Sequence, residues 1–215
     1  MFYQCDLQSL PEGFSIPDTC WYSTSMFSCN FALDAIPASL DLRALADNGG
    51  PGIEAGPVNA AWSFSLDGRE PEVYATEAPE YCRQDYVDEG IRKLHGFKEG
   101  DKLPTYYAGD LSRLYGGAYG KTEAEVKALW RDSFNRELVT PADLAGSSQR
   151  LVRFRVPKAD GAGYDVIDRL TDEAGRVTAP SVEAYGYSSV KWKAPDGTVL
   201  AEGPMGTEGL SFDAS

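Results

Sequence analysis

A chain of 215 residues, 42% hydrophobic and 25% charged, is long enough to bury a core as one large domain or two small ones, and its composition excludes wholesale disorder. A formal charge of −13 argues against a protein that grips nucleic acid through its phosphates, and it disfavours anionic membranes. The 22 glycines and 13 prolines predict many turns and exclude an architecture of long helices.

From Phe27 to Asp34 the side chains alternate, with Phe27, Cys29, Phe31 and Leu33 on one side, which predicts a half-buried strand. Leu40, Leu42 and Leu45 fit a short helix within residues 37–48, stopped by Asn48-Gly49-Gly50-Pro51-Gly52. Val58, Ala60, Trp62, Phe64 and Leu66 alternate again, Asp67-Gly68 signals a turn, and residues 72–76 read as the return strand of a hairpin. A helix is expected over 78–94, with Cys82, Tyr86, Ile91 and Leu94 on its apolar stripe and Gly96 ending it.

The strongest helical signal runs over 121–139. Thr122-x-x-Glu125 makes a capping box, Val126, Leu129, Trp130, Phe134 and Leu138 form one face, and Glu123 with Lys127 and Asp132 with Arg136 pair outside. Thr140-Pro141-Ala142-Asp143 resembles the start of a further short helix. Val152, Phe154 and Val156 then alternate with Arg153 and Arg155 as a strand does, and further strands follow over 164–181 and 182–203, with turns at Glu173-Ala174-Gly175 and Pro195-Asp196-Gly197. Residues 165–174 fit a helical face equally well, and the last dozen residues read as a tail.

This order predicts an α+β fold: antiparallel strands in the N-terminal part, central helices and a β-rich C-terminal segment. A boundary is expected at residue 147, separating an α+β part over 1–147 from a β-rich segment over 148–215, with one composite domain over 1–215 as the alternative. Asp172-x-x-Gly175-Arg176-Val177-Thr178, followed by Tyr185-x-Tyr187, resembles one copy of the tyrosine-aspartate repeats of large β-rich shell proteins. Those families chain many copies, and this likeness stops at residue 187, so no fold is taken from it.

Residues 1–90 hold fifteen acids and three bases (Arg43, Arg69, Arg83), net −12, against net −1 for the remainder. A negative field over the first half steers basic partners. No apolar run reaches the roughly 18 residues of a membrane span, and the first twenty-five residues lack a basic start followed by an apolar stretch, so neither a span nor a signal peptide is expected. Cys5, Cys20, Cys29 and Cys82 form no C-x-x-C pair, which favours a reducing setting and a cytoplasmic or particle-associated location, with two extracellular bridges as the alternative.

Reaction-centre signals are sparse. His95 is the sole histidine, so any serine or cysteine mechanism must use it, yet the C-terminus of the expected helix explains it equally well. Asp85, Asp88 and Glu89, and Asp165, Asp168 and Asp172, cluster without the loop spacing of a calcium site, and no metal or other cofactor is expected. Tyr106, Tyr107, Tyr115 and Tyr119 around Gly116-Gly117 suit stacking or core packing.

The chain therefore reads as a non-enzymatic structural and interaction subunit of a larger assembly, virion-like or another multi-protein particle. Its expected partners are other protein subunits, basic ones included, without direct nucleic-acid binding. Trp62, Tyr106, Tyr107, Trp130 and Trp192 are the candidate interface anchors, because aromatic residues dominate interface energetics. The alternatives are an acidic inhibitor mimicking nucleic acid and a small enzyme using His95.

Overall fold

The computed structural model describes residues 5–17, 20, 26–43, 64, 66, 95–98, 100–114, 122–187, 189–204 and 211–213. Its contacts divide the chain into two compact units, Met1–Val139 and Thr140–Ser215. Among the described residues, no helix is long and apolar enough to cross a membrane.

In the N-terminal unit, β1 (Ala35–Ile36), β2 (Leu103–Tyr107) and β3 (Arg136–Val139) form one sheet in that order, and both pairings are parallel. Parallel neighbours require a crossover, and the connection from β2 to β3 contains α1 (Glu123–Phe134). The expected antiparallel arrangement of the N-terminal strands is thereby corrected. Strands of a parallel sheet are covered on both faces and show no clean alternation; β2 carried no strand signal, and β3 was absorbed into the predicted helix.

The expected central helices are corrected too. Among the described residues, the α-helical ones are α1, the five-residue α2 (Pro141–Ala145) and Arg43. The capping box is present as read: Glu125 N donates to Thr122 Oγ1 at 3.3 Å and Thr122 N donates to Glu125 Oε2 at 2.7 Å. However, α1 ends at Asn135, whose φ of +55° is left-handed, a conformation asparagine tolerates better than most residues. The chain leaves the helix there and enters β3, five residues before Pro141.

Residues 27–34 are turns and coil rather than a strand. Phe27, Cys29, Phe31 and Leu33 are buried as their spacing predicts, but so are Ser28 and Asn30, and Cys29 has a φ of +59°. Asn30 explains the folded-back path. Its Nδ2 donates to Phe27 O at 2.8 Å, while its Oδ1 accepts from Leu7 N at 2.9 Å. Of the predicted 37–48 helix, residues 37–42 are turn and coil, Arg43 is helical, and 44–48 lie outside the described residues. Of the predicted hairpin near 58–76, only the buried Phe64 and Leu66 lie within the described residues; the 78–94 helix lies outside them.

The core of this unit is a run of aromatic contacts. Phe14 meets Phe27 at 5.6 Å between centroids, Phe27 stacks on Phe64 at 5.0 Å, Phe64 on Trp130 at 5.4 Å, and Phe134 meets Trp130 edge-on at 5.7 Å. Beside it, Arg136 is wholly buried. Its guanidinium donates to Phe64 O at 2.8 Å, Asn30 O at 2.8 Å, Leu33 O at 3.0 Å and Thr105 Oγ1 at 3.0 Å. Burial lowers its pKa to about 10, and the Asp34 charge acts in the opposite direction. The predicted exterior pair with Asp132 is thus replaced: Asp132 accepts from its neighbour Arg131 at 2.8 Å.

In the C-terminal unit, Thr140 and Asp143 form a second capping box at α2, with Pro141 in the first turn. β4 (Leu151–Pro157) and β5 (Tyr164–Leu170) pair antiparallel, as do β6 (Arg176–Thr178) with β9 (Ser211–Asp213) and β7 (Ser189–Lys193) with β8 (Val199–Pro204). β5 lies beside β6 and β8 beside β9. Phe154, Val156, Ile167, Val177, Ala179 and Val182 form the shared core. The helical alternative for 165–174 is excluded by β5, and the expected tail contributes β9.

The predicted turns stand where their glycines require them. Gly175 and Gly197 have φ of +79° and +90°, and each donates its N–H three residues back, to Asp172 O at 3.0 Å and Ala194 O at 2.9 Å.

Replacing Arg136 by Met should lower unfolding stability by about 3–5 kcal/mol, because three carbonyls and one hydroxyl lose a charged donor in the interior. Urea unfolding checks this, and an unchanged midpoint would contradict it. Gly109→Ala should cost about 1–3 kcal/mol, since the added methyl would overlap the Tyr107 ring and the Ala38 carbonyl oxygen. The same measurement tests it.

Candidate interaction surface

Alternation along the β4–β5 ribbon sets its two faces. Phe154 and Val156 point to the core, and Phe154 stands opposite Ile167 in the register. The other face therefore carries Arg153 opposite Asp168, Arg155 opposite Val166, and Pro157 opposite Tyr164. Tyr164 is 60% exposed and Val166 41%. Arg153 grips Asp168 with both arms, Nε to Oδ1 at 2.9 Å and Nη2 to Oδ2 at 3.0 Å. Arg155 is exposed and has no carboxylate partner among the described residues. Lys158 follows the strand and lies 3.5 Å from Asp165.

A smaller apolar exposure comes from the β7–β8 pair. Trp192 faces Ala201 and Lys193 faces Val199, so Leu200 is the extra residue of a bulge. Val199 and Leu200 are both exposed there. Beneath them Trp192 meets Phe154 edge-on at 4.9 Å, and its indole N–H finds no acceptor among the described residues. Tyr187 Oη donates to Pro157 O at 2.7 Å, and burial, with Asp165 as a lesser cause, pushes the Tyr185 hydroxyl up to about 12.

Among the described residues, a polar constellation lies past the carboxyl ends of β1 and β2, where open parallel sheets commonly bind ligands. Arg43 Nε donates to Asp41 Oδ1 at 2.9 Å, and that hydrogen bond holds the Asp41 carboxyl below its ordinary value. Ser112 N donates to Asp110 Oδ1 at 2.9 Å, and hydrogen bonds from the Ser112 side chain, then from its backbone, lower that carboxyl likewise. Tyr107 is fully buried; its hydroxyl donates to Leu40 O at 3.1 Å, and burial pushes its pKa up to about 12. Each carboxylate is answered by a local donor. The arrangement pins the two strand ends together and has no member poised to take or give a proton near neutrality.

The five anchors suggested by the sequence fall in different surroundings. Tyr107 and Trp130 are fully buried in the N-terminal core, and Trp130 Nε1 donates to Leu114 O at 3.2 Å. Tyr106 is partly buried next to Tyr107 on β2, Trp192 is partly buried in the C-terminal unit, and Trp62 lies outside the described residues. Tyr164 and Val166, which supply the exposed apolar area, were missed. The register was the signal that would have found them: once Phe154 and Val156 face inward, residues 164 and 166 must face out.

His95 Nε2 lies 2.8 Å from Asp6 Oδ1, with its ring stacked over Phe31 at 6.0 Å. The pair joins segments far apart in sequence. Asp165 and Asp168, proposed for one helical face, are separated by the strand onto opposite sides, and among the described residues no group of three or more metal-binding side chains occurs. Asp172 instead accepts from Ala174 N at 2.9 Å and Arg176 N at 2.8 Å within its turn. Asp85, Asp88, Glu89, Tyr115 and Tyr119 lie outside the described residues. Cys29 is buried with its thiol 3.7 Å from Leu66 O.

No protein-family model, curated protein or solved structure matches the chain. Function must therefore be argued from this geometry.

Because the folded-state pKa of Asp41 is depressed, its stabilising contribution is present above the unfolded value of about 3.9 and is lost as pH falls through the folded value. Asp41→Asn should cost under about 1 kcal/mol at pH 7, since the pair is partly exposed. Urea midpoints of the two proteins should converge as the pH drops below both pKa values. A gap that widens in acid would contradict the assignment.

Proposed function

We propose that this chain is a non-enzymatic subunit of a larger assembly, virion-like or another multi-protein particle, and that it acts by being held by other protein subunits. The supporting observation is the outward face of β4–β5. Tyr164 and Val166 are exposed on one strand face, beside the guanidinium of Arg155. Apolar side chains scattered singly need no explanation, whereas an exposed tyrosine, valine and arginine in register have the composition of an interface centre. The first ninety residues, with net charge −12, have a composition suited to basic partners. A cytoplasmic or particle-associated location suits this role.

Native mass measurement of the protein purified from its source should find it with other subunits, and Tyr164→Ala combined with Val166→Asp should weaken that association at least about tenfold. A lone monomer from the source would overturn the reading.

A further inference from the structure

The outward face of β4–β5 has a definite chemistry. It offers an aromatic ring, a branched aliphatic side chain, a guanidinium without a carboxylate partner among the described residues, and a second guanidinium held by Asp168. Six of the eight basic residues in 140–215 (Arg150, Arg153, Arg155, Lys158, Lys191 and Lys193) stand on β4 or β7 or beside β4. A matching surface must bring carboxylates for Arg155 and flat or branched apolar groups for Tyr164 and Val166.

The chain itself carries that chemistry. Its first ninety residues have net charge −12, and residues 67–90 alone hold eight acids against two bases, interleaved with Val73, Tyr74, Tyr81, Tyr86 and Val87. Carboxylates satisfy a guanidinium bidentately, and tyrosine rings stack on its plane. We infer that the β4–β5 face is occupied by the acidic N-terminal part of a second copy of this chain. The inference rests on the assembly reading above and deepens it by naming the partner. One surface then meets a different surface on the next copy, a head-to-tail contact that grows into a ring or a filament. Overall like charge opposes the approach of two copies, so the contact depends on local pairing at Arg155 rather than on long-range attraction.

Sedimentation velocity on the purified full chain tests this. Wild type should associate with concentration below about 0.1 mM. Arg153→Glu with Arg155→Glu should weaken that association at least about thirtyfold, and so should Glu70→Lys, Glu72→Lys, Glu77→Lys and Glu80→Lys made together. Mixing the two variants should restore association, because the acidic part of the first docks on the intact face of the second, and the reversed face of the first meets the reversed segment of the second. Arg155→Ala serves as a milder probe should the charge reversals unfold the unit, as circular dichroism would reveal. A wild type that stays monomeric, or an Arg155→Ala chain that folds and associates like wild type, overturns the inference. If the recombinant chain is monomeric while the protein from its source sits in a complex, a different partner occupies the face and the assembly reading stands. Monomers from both preparations overturn both.

Discussion

A charged group taken wholly out of water must be answered on every side, and in the N-terminal unit that group is the guanidinium of Arg136. Its acceptors come from residues 30, 33, 64 and 105, so one side chain joins four stretches of chain separated by up to 106 positions. Asn30, Leu33 and Phe64 each offer it a carbonyl, and Asn30 O also accepts from Leu33 N at 3.4 Å. An unsatisfied interior carbonyl costs about 1–3 kcal/mol, so the irregular path through residues 27–34 is tolerable only while the arginine is in place. Around it, the stacked rings of Phe27, Phe64 and Trp130 exclude water and so strengthen each of those hydrogen bonds.

This arrangement explains what could be read of the N-terminal unit and what could not. Burial was legible, because Phe27, Cys29, Phe31, Leu33, Val126, Trp130 and Phe134 all lie inside as their spacing demanded. Conformation was not. Alternation reports which side chains are apolar at every second position, and a coiled segment held by Asn30 and Arg136 satisfies the same pattern without a ladder. The helix start was legible through the chemistry of Thr122 and Glu125, whereas its end depended on Asn135 adopting a left-handed conformation, a preference too weak to read. Arg136 then looked like the fourth residue after Asp132 on a solvated face. Its burial is a tertiary fact, set by acceptors distant in sequence.

The C-terminal unit was more transparent for a physical reason. Its ribbons are covered on one face only, so β4 keeps the period of two that a strand of a doubly covered sheet loses. Its turns are built around glycines whose left-handed backbone no other residue adopts as readily, and Asp172 and Asp196 hold those turns with their own side chains. The short β9 escaped because three residues carry too little pattern, and because its partner β6 lies more than thirty positions away in sequence. Of the interaction surface, the basic positions on β4 were visible and their apolar neighbours on β5 were not. Knowing which face of one strand is wet assigns the partner strand only after the register is known.

The two units thus treat positive charge in opposite ways. In the first, Arg136 is enclosed and its hydrogen bonds are met by three backbone carbonyls and the Thr105 hydroxyl, which makes it a structural tie. In the second, Arg155 stands in water on a ribbon face beside Val166, with Tyr164 two residues further along. Charged side chains on the outer strands of a small sheet also discourage indiscriminate pairing with other sheets. Solubility alone, though, would be served better by polar groups at 164 and 166. An exposed ring and a branched side chain next to a guanidinium leave bare apolar surface, and the proposed contact with another protein would remove it from water.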